Sequence, residues 1–326
     1  MNYLIVGAGF AGAVYARELA DAGHTVTVID KRYHIGGNAY DYWNDSGILI
    51  HKYGPHIFHT DNEQVFAWLS RFTHWTEYKH RILAKYKGKY FPFPPNNDVQ
   101  GMSDELIRDI FYRPYSEKMW GIPYEQLSEK IINRQKKRNN TNPYTFTDQY
   151  QCMPIGGYTK LFEKIFEGID VYLNTEFDKS MEADYDHVFN SMPIDVYYDY
   201  KYGELPYRSI RFEHVTIPDD LVYDTAQTNF TTTTGPTRVT EWKHFPCHGN
   251  PDCTALTFEY PVDYRANGME RYYPVLDADG KNKATYDKYA NEQNDKVTFI
   301  GRCGTYQYLD MHQVINQSLQ RVAKYK

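Results

Sequence analysis

Apolar and polar positions divide the chain into short, closely spaced elements. Tyr3-Leu4-Ile5-Val6 is an apolar run that predicts a buried strand within residues 1–6, and the turn Gly7-Ala8-Gly9-Phe10-Ala11-Gly12 follows at once. Residues 13–22 then predict a helix, and Thr25-Val26-Thr27-Val28-Ile29-Asp30 a second strand ending in an acid. Residues 53–60 read as a polar and aromatic turn, and 62–72 as an amphipathic helix. Residues 78–93 alternate as a hairpin does, with Lys87-Gly88-Lys89 at its tip and Phe91-Pro92-Phe93-Pro94-Pro95-Asn96 at its end. Two helices are expected at 104–120 and 124–137, broken off by Asn139-Asn140-Thr141-Asn142-Pro143. Beyond Gly156-Gly157-Tyr158 the pattern predicts a helix at 159–166 and returning strands at 169–173 and 187–190. Threonine-rich and aromatic alternation from 207 to 260 predicts mostly antiparallel sheet. A last strand is expected at 298–301, a loop at 301–308 and a closing helix at 309–324.

This order predicts an α/β chain: a Rossmann-like dinucleotide-binding domain, read below as FAD-binding, with a small helical insertion domain and an antiparallel β-sheet domain. The cofactor domain is expected to be discontinuous, built from 1–77, 150–192 and 295–326. The helical insertion spans 97–142, and the sheet domain takes 78–96 and 193–294.

The glycine turn carries the chemistry of the first segment. Gly7 permits the tight turn, Gly9 removes the side chain that would block a pyrophosphate, and Gly12 lets the helix pack closely on the strand. The helix N-terminus offers free backbone N–H groups to phosphates. Asp30, eighteen residues after Gly12, stands where a carboxylate accepts hydrogen bonds from ribose hydroxyls. A strand, a turn, a helix and a distant acid agree on a dinucleotide site. NAD and FAD sites share this opening. The second glycine pair in His34-Ile35-Gly36-Gly37-Asn38 favours FAD, a preference that rests partly on the resemblance below.

Composition narrows the partners. A net charge of −6 gives no global basic field for nucleic acid or an anionic membrane, so a phosphate-bearing ligand has to be met by local arginines. No stretch approaches the ~18 apolar residues of a membrane span, and no basic region precedes an apolar leader. A soluble, cytoplasmic protein is expected. Cys247 and Cys253, with His244 and His248 nearby, fit no common zinc spacing, so free thiols and no metal are expected. The 32 tyrosines supply flat apolar faces with polar tips, which suits stacking on sugars and bases.

Across nearly its whole length the sequence resembles the UDP-galactopyranose mutases. The residues that carry the resemblance are Gly7-Ala8-Gly9-Phe10-Ala11-Gly12, His34-Ile35-Gly36-Gly37-Asn38, the loop Tyr53-Gly54-Pro55-His56-Ile57-Phe58-His59-Thr60, Trp120-Gly121 with Arg134, and Pro154-Ile155-Gly156-Gly157-Tyr158-Thr159. Thr237-Arg238-Val239-Thr240-Glu241, Glu259-Tyr260-Pro261, Tyr272-Tyr273-Pro274 and Gly301-Arg302-Cys303-Gly304-Thr305-Tyr306-Gln307-Tyr308-Leu309-Asp310-Met311 complete the set.

The resemblance implies conversion of UDP-galactopyranose to UDP-galactofuranose without net redox change. In that chemistry N5 of reduced FAD attacks the anomeric carbon as UDP leaves, and the sugar recloses through another hydroxyl. It implies activation by NAD(P)H or another reductant, and a UDP-sugar as the partner. It places Arg134 and Arg238 on the diphosphate, where guanidinium groups stabilise the charge of the leaving group, with Tyr273 and Tyr308 beside them. It sets His59, Arg302 and Asp310 near the flavin and sugar, and Phe111, Tyr112, Tyr115, Trp120, Phe146 and Asn229 around the uracil and sugar. On the cofactor it places Gly7, Gly9, Phe10, Ala11, Gly12, Asp30, Lys31, Gly37, Asn38, His56, Gly301, Arg302, Tyr308, Leu309 and Asp310.

The chain departs from the family pattern at several points. The segment before Trp120 is markedly shorter, which trims the helical domain that makes the family's dimer contact and leaves the oligomeric state open. His80 stands where an asparagine near the sugar is usual, a change that bears on substrate choice. Gln135-Lys136-Lys137 follow Arg134 in place of an apolar residue and proline, and Thr145 replaces a tyrosine. Two other functions stay open on the sequence: an FAD oxidoreductase of the amine-oxidase type sharing only the cofactor domain, and a catalytically inactive nucleotide-sugar binder.

Overall fold

Strand Asn2–Val6 lies at the centre of a five-stranded parallel sheet ordered Asp170–Tyr172, Thr25–Ile29, Asn2–Val6, His187–Asn190, Val297–Phe299. The computed structural model describes residues 1–326 except 100, 134–136, 247–251 and 293. Both faces of the central strand are covered, with Leu4 and Val6 in one apolar cluster and Tyr3 and Ile5 in another, which is why its sequence is a continuous apolar run. Helix Phe10–Asp21 packs beside the last helix, Met311–Val322, so the two ends of the chain meet on one face of this sheet. The first helix starts at Phe10, earlier than the pattern predicts, because Gly9 rather than a polar residue is its N-cap.

A seven-stranded sheet forms the second layer, ordered Tyr273–Pro274, Tyr207–Ile217, Thr254–Asp263, Arg238–Glu241, Gln227–Phe230, Ile82–Tyr86, Lys89–Phe93. Its pairs are antiparallel except one: Gln227–Phe230 runs parallel to Ile82–Tyr86. The hairpin expected at 78–93 forms over 82–93 and is recruited to the edge of the sheet built from residues far along the chain.

Several elements differ from the sequence expectation. The helix expected at 104–120 is interrupted: Asp104–Ile107 and Arg113–Trp120 are α-helical, and Arg108–Tyr112 between them is a π turn. Pro114 has no N–H and its ring crowds the carbonyl of Ile110, so the backbone widens there. The helix expected at 124–137 is also broken, because Leu127 takes extended backbone and bridges to Asp277; only Glu129–Ile132 is α-helical among the described residues. Phe58–Thr60 is a strand, not part of a turn, and pairs with Tyr150–Pro154, which pairs in turn with Trp75–Glu77. Gly301–Gly304 is a short helix rather than loop. Helix Lys281–Ala290 went unpredicted because its apolar positions are few.

One long-range cap ties the glycine pair near 156 to the cofactor layer. Buried Asp41 accepts hydrogen bonds from the N–H groups of Tyr158 at 2.6 Å and Thr159 at 2.8 Å, closing the N-terminus of helix Tyr158–Ile165. A Cβ at Gly157 would stand 2.5 Å from an Asp41 carboxylate oxygen, so glycine is needed there.

Candidate functional site

The two glycine turns are pressed together. Gly7 has φ +103° and donates its N–H to the Ile29 carbonyl at 2.8 Å. A Cβ at Gly12 would meet the Gly7 oxygen at 1.9 Å, and one at Gly37 the Cα of Gly9 at 2.9 Å. At Gly9 the nearest atom to an added Cβ would be 3.6 Å away, so glycine there keeps a face open rather than relieving a clash. The helix behind has no side-chain N-cap, and its first N–H groups point into the cleft.

That cleft is a cavity of about 490 Å³. Gly7, Gly9, Phe10, Ala11, Gly12, Asp30, Lys31, Gly37, Asn38, His56, Gly301, Arg302 and Leu309 line it. Two further expected cofactor residues do not. Tyr308 turns to a second cavity, and Asp310 forms a capping box with Gln313 at the start of the last helix. Asp30 has a structural task as well: its carboxylate accepts from the Ala8 and Arg32 N–H groups, each at 2.8 Å, which braces the first glycine turn.

Sequence reasoning missed Arg32 and Glu270 in this cleft. Arg32 donates to Glu270 at 2.5 Å and to Asn38 at 3.0 Å, and its guanidinium lies 4.5 Å from the centre of the Tyr53 ring. Glu270 sits 238 residues away in sequence, in a loop of the second layer, and no local pattern could have linked it to Arg32.

The second cavity, about 140 Å³, is lined by Tyr112, Tyr115, Trp120, Arg238, Tyr273 and Tyr308, together with Ser116, Met119, Tyr124, Ile131 and Ile132, which were not anticipated. Its aromatic wall is continuous: Trp120 lies edge-on to Tyr308 at 5.5 Å, and Tyr308 edge-on to Tyr273 at 5.1 Å. Arg302 joins the two cavities. Its guanidinium lies 4.8 Å from the Tyr273 ring and 5.6 Å from the Tyr308 ring, it donates to the Tyr272 carbonyl at 3.1 Å, and its buried Nε has no hydrogen-bond partner among the described residues. Tyr112 also buries a hydroxyl without a partner among the described residues at the second cavity.

Sheet register sets the neighbours of Arg238. Ala84, Asn229, Arg238, Glu259 and Phe212 are successive cross-strand partners, and such partners share a face. Arg238 Nε lies 2.7 Å from Glu259 Oε2, with Glu259 fully buried. Burial pushes the Glu259 carboxyl above its ordinary range, and Arg238 opposes that shift. Glu259 belongs to one of the motifs noted in the sequence, but its partnership with Arg238 appears only from the register. Burial also pushes the Tyr115 hydroxyl up to about 12, so it serves as a neutral donor.

The histidine loop forms a stacked column. His59 stacks on Phe146 at 3.7 Å, meets His312 edge-on at 5.1 Å, and pairs its Nδ1 with Asp148 at 3.0 Å. His56 is lowered to about 4 by burial, with its Nδ1 2.8 Å from the Gly54 carbonyl. His80 lies deeper, 1 % exposed, against Gln227. Phe146, His59, His80 and Asn229 line neither cavity. Phe111 lines neither cavity: it is fully buried, edge-on to Phe91, in the apolar core under the hairpin. Its side chain lies on the core side while Tyr112 reaches the second cavity. Arg134, Cys247 and His248 lie outside the described residues. Cys152, Cys253 and Cys303 are free thiols.

Residues 110–308 match the model of the family described as GLF, UDP-galactopyranose mutase, and residues 5–72 match an NAD(P)-binding Rossmann-like domain. The chain is 34 % identical to a protein named probable UDP-galactopyranose mutase of Klebsiella pneumoniae, over 98 % of this chain and 93 % of that one. It is 31 % identical to a dTDP-fucopyranose mutase of Escherichia coli, over 97 % and 96 %. A crystal structure of reduced UDP-galactopyranose mutase superposes with a TM-score of 0.76 at 14 % identity, covering 99 % of this chain and 95 % of that one.

Proposed function

Because the chain belongs to the UDP-galactopyranose mutase family, a family of isomerases, we propose that it interconverts UDP-galactopyranose and UDP-galactofuranose, or the two ring forms of a close UDP-sugar analogue. The observation that carries this reading is the pairing of cavities. A glycine-lined dinucleotide cleft meets an arginine- and tyrosine-lined pocket, and Arg302 lies between them.

The residues of the larger cleft fit FAD. Gly9 and Gly37 leave backbone where a pyrophosphate would approach, Asp30 and Lys31 stand at the end of the second strand, and Arg302 and Leu309 close the far end. Bound there and reduced by NAD(P)H or another reductant, FAD would supply the nucleophile for the anomeric carbon.

The chain's own side chains do the rest. Arg238 carries a fixed positive charge into the second cavity, where it neutralises the diphosphate as the glycosidic bond weakens. Arg134 is the proposed second guanidinium. Tyr273 and Tyr308 donate hydroxyls to phosphate oxygens, and Trp120, Tyr112 and Tyr115 supply aromatic surface to the uracil and the sugar. The aromatic wall excludes water, which strengthens each of these charge interactions. The same reading divides the chain into a cofactor domain (1–77, 150–192 and 295–326), a helical insertion (97–142) and a sheet domain (78–96 and 193–294). No described helix is long and apolar enough to cross a membrane; the proposed place of action is the cytoplasm.

The test is anaerobic incubation of the FAD-loaded, dithionite-reduced protein with a panel of UDP-hexoses, UDP-N-acetylhexosamines and dTDP-6-deoxyhexoses, read by HPLC. Ring interconversion of a UDP-galactose-type sugar is expected. Conversion of the dTDP sugar alone would move the substrate class, and conversion of none would overturn the proposal.

A further inference from the structure

Directly behind Asn229 the sheet holds a chain of four hydrogen-bonded side chains. The Tyr78 hydroxyl lies 3.0 Å from His80 Nδ1, His80 Nε2 lies 3.3 Å from Gln227 Oε1, and Gln227 Nε2 donates to Asn229 Oδ1 at 2.9 Å. His80, Gln227 and Asn229 are each at most 2 % exposed. The register explains the alignment. Gln227 and Asn229 are two apart on one strand and so share a face, and Gln227 lies opposite Ile82, two residues beyond His80.

The donors and acceptors run in one direction. The Gln227 oxygen can only accept, so His80 Nε2 carries the ring proton. Nδ1 is then the acceptor, and the Tyr78 hydroxyl donates to it. Burial lowers His80 to about 3, so the ring is neutral in any ordinary buffer and this direction does not change with pH. The last link occupies the Asn229 oxygen. Asn229 lies directly across the strand pair from Arg238, which lines the second cavity, while Asn229 itself is buried behind that lining.

We propose that His80 and Gln227 are positioning residues that hold the Asn229 carboxamide with its oxygen inward and its NH₂ toward the Arg238 cavity, so that Asn229 donates to the nucleotide-sugar diphosphate. This rests on the reading of that cavity as the diphosphate site. A freely rotating asparagine presents its oxygen to the phosphates as readily as its nitrogen, and an oxygen there repels them. The buried chain removes that alternative. It also gives His80 a task that a shorter asparagine at the same position does not perform in this geometry.

The test is a double-mutant cycle on the full, FAD-loaded protein, with UDP as the probe and its affinity read by calorimetry. Gln227→Leu and His80→Phe are each expected to weaken UDP binding about tenfold, the worth of one hydrogen bond to a charged group. His80→Phe keeps the ring packing against Phe146 and Phe245 while deleting the Nε2 donor. In an Asn229→Ala background the Gln227→Leu change is expected to cost about twofold or less. Equal losses in both backgrounds would show that Gln227 acts by general packing and would overturn the relay. Unchanged UDP affinity in both His80→Phe and Gln227→Leu would overturn it too. Wild-type protein that binds no UDP would overturn the diphosphate reading itself, and the relay with it.

Discussion

Removing Arg238 separates stability from chemistry. In Arg238→Ala the fully buried Glu259 loses the guanidinium 2.7 Å away. Two unit charges ~4 Å apart interact by about 4 kcal/mol at the effective dielectric of ~20 that suits such sites. Breaking a buried pair by deleting one partner typically costs about 3–5 kcal/mol. For a chain of 326 residues that corresponds to a fall in Tm of roughly 4–7 °C. The loss should depend on pH. Burial already raises the Glu259 carboxyl, and without Arg238 it rises further. Between the unfolded value near 4.5 and the raised folded value, the native state holds a proton that the unfolded chain has lost. Stability of the variant therefore falls as pH rises through that window, and its deficit against wild type should be small near pH 5 and full near pH 8. Arg238 lines the second cavity and not the first, so flavin content should be unchanged. Turnover should fall by about 10²–10³, the usual loss on removing one preorganised donor from a developing negative charge. Combining Arg238→Met with Glu259→Gln should recover most of the Tm and none of the turnover. Thermal melts at both pH values, flavin absorbance and HPLC turnover read the three effects. Near-normal turnover in Arg238→Ala would refute the role of the arginine, and a Tm deficit equal at both pH values would refute the role of the pair.

Three further outcomes follow from the same geometry. Gly12→Ala places a Cβ 1.9 Å from the Gly7 carbonyl, so the first helix must shift off its strand, and purified protein should contain little flavin by absorbance. Trp120→Ala opens the aromatic wall of the second cavity; UDP affinity should fall about tenfold by calorimetry, with a Tm loss consistent with the ~3–5 kcal/mol of a buried tryptophan truncation. Lys118 donates to the carbonyls of Phe230 and Pro236, and burial lowers it from 10.5 to about 8. Between those values the unfolded chain holds a proton that the native state has released, so stability rises with pH across the window; Tm measured from pH 7.5 to 10.5 should show a rise that Lys118→Met removes.

What the sequence revealed and what it hid divide along sequence distance. The opening strand, glycine turn and helix are local in sequence, and their spacing places the cleft: Gly12 packs on Gly7 five residues before it, while the partners of Gly7 and Gly9 at Ile29 and Gly37 still lie within the first forty residues. The 82–93 hairpin is local for the same reason. The π turn at Arg108–Tyr112 was in principle readable, since Pro114 marks a break inside a helical pattern, but periodicity outweighed it. The pairing of Gln227–Phe230 with Ile82–Tyr86, the cap from Asp41 to Tyr158 and Thr159, and the bridge from Glu270 to Arg32 depend on contacts across a hundred residues or more, for which a single sequence carries no signal. Phe111 shows the same limit within one element: its neighbour Tyr112 lines a cavity while Phe111 lies in the core, a difference set by their places around the helical turn and not by residue type.

Counting product against flavin consumed tests the account most directly. Protein reduced once by dithionite, then held without oxygen or further reductant, is given excess UDP-galactopyranose, and both product and flavin absorbance are followed. The account predicts many molecules of UDP-galactofuranose per flavin, with the flavin still reduced at the end and no product from oxidised protein. Product formed one per flavin with stoichiometric flavin oxidation, or formed equally well by oxidised protein, would contradict it.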